Sequence, residues 1–141
     1  MNRLLARFFV AGIAVTTLAC AGHARSTPVP GEYARSTIRL REDGQVLPVP
    51  NDGPFAADFP SAVRLDNANG FVVESSNAQL NGHYRLERDS IFLDQDTDSG
   101  ARLAFAGRAT GDTLDVHWIS ASGQRSNAAG ADVELVFVRS K

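Results

Sequence analysis

The sequence predicts an all-β protein: one small antiparallel up-and-down β-barrel of about eight strands, behind an N-terminal signal segment. Three observations carry that prediction. Apolar residues recur with period two over strand-sized runs. Gly, Asp and Asn break those runs at the spacing of about 8–12 residues typical of sandwiches and barrels. No stretch after the leader holds a 3.6-residue apolar period long enough for a substantial helix. The 141 residues suffice for one domain, and the 43% hydrophobic and 21% charged content is ordinary for a globular chain.

Residues 1–20 read as an export signal. "MNRLLAR" supplies a positive start and "FFVAGIAVTTLA" a twelve-residue apolar run. That run is shorter than the roughly 20 residues a bilayer span requires. It ends at Cys20, the single cysteine, within "TTLACAG". Ala19 before the cysteine resembles the lipoprotein box of bacterial envelope proteins, which implies lipidation at Cys20 and a membrane anchor. Cleavage after Ala21 or Ala24, releasing a soluble periplasmic or secreted protein, is the alternative. Residues 21–31, "AGHARSTPVPG", have the small, proline-bearing composition of a flexible tether. Residues 32–141 form the domain. Fourteen basic residues face sixteen acidic ones, and Arg3 and Arg7 fall in the leader. The remainder is therefore acidic on balance, and no basic patch points to nucleic acid.

The elements follow in order. In "YARSTIRLRE", strict alternation puts Ala34, Ser36, Ile38 and Leu40 on one face, with Tyr33, Arg35, Thr37, Arg39 and Arg41 opposite. "EDG" at 42–44 is a turn. Residues 45–60, "QVLPVPNDGPFAADFP", carry four prolines and two phenylalanines, so they predict an apolar-tipped loop in which Phe55 and Phe59 cap one end of the fold. "SAVRLDN" and "FVVESS" are strands joined by a turn at Ala68, Asn69 and Gly70. "QLNGHYRLER" places Leu80, Tyr84 and Leu86 together. "SIFLDQ", "RLAFAGR", "DTLDVHWIS" and "DVELVFVRS" complete the eight. Residues 120–132 are small and polar and predict a mobile loop.

The run "GHYRLERDSIFL…LAFAGRATGDTLDVHW…VELVFVR", with a "GEY" segment at Gly31–Tyr33 and an apolar last strand ending in Arg139, resembles the hairpins of small exported bacterial lipocalin-like (calycin-like) barrels. Where lipocalins carry Gly-x-Trp, this chain has Gly31-Glu32-Tyr33. The resemblance implies a barrel of about eight strands whose mouth can hold a small apolar ligand. The residues expected to line it are Trp118, Phe105 and Phe137, beneath Phe55 and Phe59. At this size an eight-stranded interior is just wide enough for side chains to fill.

Other candidate sites are weaker. "DQDTDSG" spaces Asp94, Asp96 and Asp98 like a calcium loop. An EF-hand loop, however, needs glycine at position six and glutamate at twelve, where Ser99 and Phe105 stand. His83 and His117 could share a metal with Asp115 or Glu87 only if their strands meet, and no metal-ligand spacing is evident. Arg35, Arg39 and Arg41 share a predicted face suited to an anion. Asp112 and Asp115, three apart on a strand, point to opposite faces. The chain has no Gly-x-Ser-x-Gly elbow, and the domain has no cysteine. The expectation is a non-enzymatic binding protein of the cell envelope without a cofactor, taking a small apolar ligand or an envelope protein. The alternatives are an interaction module with a filled barrel, and a weak calcium-binding or enzymatic protein.

Overall fold

The computed structural model describes residues 27, 28, 30–119 and 132–141. The leader with Cys20, residues 21–26 of the tether, and residues 120–131 of the predicted loop lie outside the described residues. The described part is all-β: β1 Gly31–Glu42, β2 Gln45–Val49, β3 Ala62–Leu65, β4 Gly70–Glu74, β5 Gln79–Glu87, β6 Ser90–Thr97, β7 Gly100–Thr110, β8 Thr113–Trp118 and β9 Asp132–Arg139, with one helical turn, α1 Pro54–Ala57. Each strand from β3 to β9 pairs antiparallel with the next, and β9 returns to β1. Eight strands, β1 and β3–β9, thus close a barrel. β2 is a ninth, folded back on the second half of β1, while β3 takes the first half.

The eight barrel strands are those the alternation predicts. β2 falls in the segment expected to be a loop. Its Pro48 stands opposite Arg39, and it is tolerated because β2 pairs with β1 alone, so a missing N–H costs the sheet little at that edge. β1 departs from strict alternation: its register to β9 shifts between Arg35 and Thr37. One extra residue in a strand exchanges its two faces beyond that point. Tyr33 and Ile38, placed on opposite faces by sequence, are therefore both fully buried.

The barrel interior is filled. Tyr33, Ile38, Ile91, Leu114, Val133, Leu135 and Phe137 have no exposed surface, and Phe105, Leu93, Val63, Val73 and Val116 are almost as buried. Val116 lies opposite both Gly107 and Leu135, which carries apolar contact across the inner face of three strands. Small residues let strongly coiled strands approach. A Cβ on Gly82 would lie 2.1 Å from the Asp94 carbonyl oxygen, and one on Gly107 would lie 1.9 Å from that of Asp115. Only glycine fits either place.

One end of the barrel is shut. Tyr84 donates its hydroxyl hydrogen to the Asp66 carbonyl at 3.2 Å, and the Tyr33 hydroxyl lies 3.5 Å from the Gly111 carbonyl. Asp66 accepts from the backbone N–H of Ala68 and Gly70 at 2.8 and 2.7 Å, which fixes the β3–β4 turn. Backbone bonds then link turn to strand: Tyr84 N to Asn69 O at 2.7 Å, and Ala109 N to Asp89 O at 2.9 Å.

Candidate functional site

Among the described residues, the opposite end is open. A cavity of about 310 Å³ sits there, walled by Val73, Leu80, Trp118, Ala57, Pro60 and Ala78, with Asp58, Ser75, Asn77, Gln95 and Arg102 supplying polar edges. The hairpins bring these groups together. The turn after Thr97 pairs Gln95 with Arg102 across β6 and β7, and the Arg102 guanidinium donates to Gln95 Oε1 at 3.0 Å. Val73 stands opposite Leu80 across β4 and β5. Trp118, at the last position of β8, stands opposite Phe105 with ring centroids 5.3 Å apart in an edge-to-face contact.

The predicted ligand-lining residues separate in the fold. Trp118 is half-buried, packs against the core and walls the cavity. Phe105 is 2% exposed and backs Trp118 from inside. Phe137 is fully buried and pairs with Leu114 near the shut end, two cross-strand positions below the mouth. Phe59 packs on the core, while Phe55, 5.2 Å from it between ring centroids, is half exposed. Alternation with Leu114 and Val116 along β8 makes Trp118 inward-facing. Gln95 and Arg102 were legible only by pairing β6 with β7 through a two-residue turn. Ala57 and Pro60 lie in the segment whose folding the prolines concealed.

Arg35 holds that segment down. One guanidinium nitrogen donates to the carbonyls of Ala56, Phe59 and Pro60 at 2.9, 2.8 and 2.9 Å, and Nε donates to Asn51 Oδ1 at 2.7 Å. Desolvation by burial lowers its pKa from the ordinary arginine value. Arg35 therefore does not join Arg39 and Arg41. The bulge sends those two to the outer face, where both reach Glu134: Arg39 to Oε1 and Arg41 to Oε2, each at 2.9 Å.

Glu134 is only 4% exposed although it faces outward. Beside it, His117 Nδ1 lies 2.8 Å from Asp132 Oδ1. Asp115, two residues before His117, has a buried Oδ1 with no hydrogen-bond donor. Burial, then the Glu134 carboxylate, pushes Asp115 above the ordinary carboxylate range. Burial alone would raise Glu134 as well, but hydrogen bonds from Arg41, Asp115 and Arg39 hold it below. A proton therefore favours Asp115, and the negative charge favours Glu134.

The other predicted clusters disperse. β6 and β7 separate β5 from β8, so His83 and His117 do not meet. His83 Nδ1 lies 3.5 Å from Asp96, and Arg85 bonds to Asp94 at 3.0 Å and to Glu87 while stacking over Phe92. Two of the three aspartates of "DQDTDSG" thus face basic side chains of β5, His83 and Arg85. Asp112 turns to Arg139 at 3.7 Å. No protein-family model, curated protein or solved structure matches this chain.

Proposed function

We propose that this is an exported, lipid-anchored binding protein of the cell envelope, which takes a small amphipathic molecule in the open mouth of its barrel. The observation that carries this is the cavity walled by Trp118, Leu80 and Val73 with the Arg102 guanidinium at its edge. Its 310 Å³ lies at the low end of ligand pockets, which run from about 300 to 1,000 Å³. The filled interior below it means that a ligand occupies the mouth and does not thread the barrel. Arg102 has no carboxylate within ion-pair distance among the described residues. A ligand with one short apolar group and an anionic or carbonyl end thus matches both walls. The export and anchor parts of this proposal rest on the leader and Cys20.

Trp118 is the single tryptophan, so it reports on its own cavity. Titration with octanoate and with octan-1-ol, followed by Trp118 emission, is the test. Saturable changes with both are expected, with octanoate weakened in Arg102→Gln and octanol unaffected. No saturable change with either probe would remove the ligand-binding proposal. The filled core and the exposed Val46, Leu47 and Phe55 would then favour the second function, contact with another envelope protein.

A further inference from the structure

We propose that the outer face of β8 and β9 carries a binding site for a divalent first-row transition metal such as Zn²⁺, with Asp115, His117 and Glu134 as ligands. One donor atom from each lies within 4.8 Å of the others. The fold places them without special pleading: Asp115 and His117 are two residues apart on one strand and share its outer face, and Glu134 is the cross-strand partner of His117. One imidazole and two carboxylates form a mixed nitrogen–oxygen set that suits zinc and its neighbours better than calcium.

Two further observations point to a ligand. Asp132 holds His117 at Nδ1. With that nitrogen donating its hydrogen, Nε2 keeps the lone pair a metal needs, which is the carboxylate–histidine arrangement found behind metal ligands. The buried Asp115 Oδ1 meets no donor among the described residues, so a proton, a water or a cation has to satisfy it. A cavity of about 370 Å³ lined by Ser90, Gly107, Arg108, Asp115 and His117 opens onto the last two of these, with room for the waters that complete a coordination shell.

Arg39 and Arg41 compete with a metal for Glu134. Asp115 and His117 are therefore the donors on which affinity chiefly depends. Metal bonds of about 2.0–2.2 Å require the donors to draw closer, and Asp115, with one oxygen held by no donor, is free to supply that movement. A metal binds the carboxylate and neutral-imidazole forms of its ligands, so affinity falls as pH falls.

The test is Zn²⁺ calorimetry and Co²⁺ absorption on the full chain near neutral pH. One Zn²⁺ per chain is expected, with Co²⁺ bands of a nitrogen–oxygen site and no thiolate charge transfer. Asp115→Asn and His117→Gln should each weaken binding at least roughly tenfold. Asp132→Asn should weaken it by about tenfold or more, as orienting carboxylates do. His83→Gln should change nothing. Because His117→Gln alters a half-buried group, the near-ultraviolet signal of Trp118 checks its fold, and Asp115→Asn keeps the side-chain shape. Absence of Zn²⁺ heat, parental affinity in both ligand variants, or a thiolate band assigning the metal to Cys20 would each overturn the proposal.

Discussion

The two ends of the barrel use aromatic residues in opposite ways. At the shut end Tyr33 and Tyr84 are buried, with exposures of 0% and 8%, and their hydroxyl groups approach backbone carbonyls of the neighbouring turns. At the open end Trp118 keeps part of its ring in solvent and walls a cavity. The difference lies in how the turns are satisfied. Below, carbonyls and amides from three turns are spent on neighbouring strands and on the tyrosines. Above, among the described residues, the segment from 50 to 61 is tied to β1 through Arg35 alone: its guanidinium, its backbone N–H to the Ser61 carbonyl, and its carbonyl, which accepts from Asn51. The first end is tied internally, while the second presents the cavity on which the proposed recognition rests.

That contrast can be broken most forcefully from below. Tyr33→Ala removes a fully buried ring and should cost about 3–5 kcal/mol of unfolding free energy in a urea titration. Gly82→Ala adds one methyl against the Asp94 carbonyl. It should cost about 1–3 kcal/mol, as overpacking does, because backbone must move to admit it. A Gly82→Ala protein as stable as the parent would show that the strands approach less closely than described. Trp118→Ala should cost only about 1–2 kcal/mol, below the usual loss for a buried aromatic, because part of the ring is already solvated. The same change should abolish octanoate heat in calorimetry. Retention of that heat would move the ligand away from the mouth.

The smallest effect sharpens the comparison through pH. Burial, and then the Asp66 carboxylate, raise the Tyr84 pKa above its ordinary value near 10. Between the ordinary and the raised value the native state holds a proton that the unfolded chain has lost. Stability should therefore fall as pH climbs through that window. Tyr84→Phe should flatten this slope at the cost of one hydrogen bond, about 0.5–1.5 kcal/mol. An unchanged alkaline slope in Tyr84→Phe would mean that the shut end does not titrate through Tyr84.

Alternation and punctuation alone made the eight barrel strands legible, because the apolar period of two and the turn residues are local properties of the chain. They also showed that Trp118 faces inward with Leu114 and Val116. They missed β2, since proline is excluded from central strands but not from an edge, and nothing local distinguishes the two. They misassigned the faces of β1, since one bulged residue between Arg35 and Thr37 exchanges inside and outside, and that residue is set by pairing with β9.

What the sequence determined by itself was the fold class, the strand count of the barrel and the charge of its surface. Each follows from side chains repeating along one strand or from composition. What only the tertiary structure decided was which residues meet. The barrel is filled, so Phe137 lies deep below the mouth and only Trp118 of the five predicted residues walls its cavity. Gln95 and Arg102 reach that rim through a hairpin. Glu134, an unremarked charge in an apolar strand, is brought to His117 by antiparallel register. Register and closure are relations between distant segments, and no local pattern in either segment contains them.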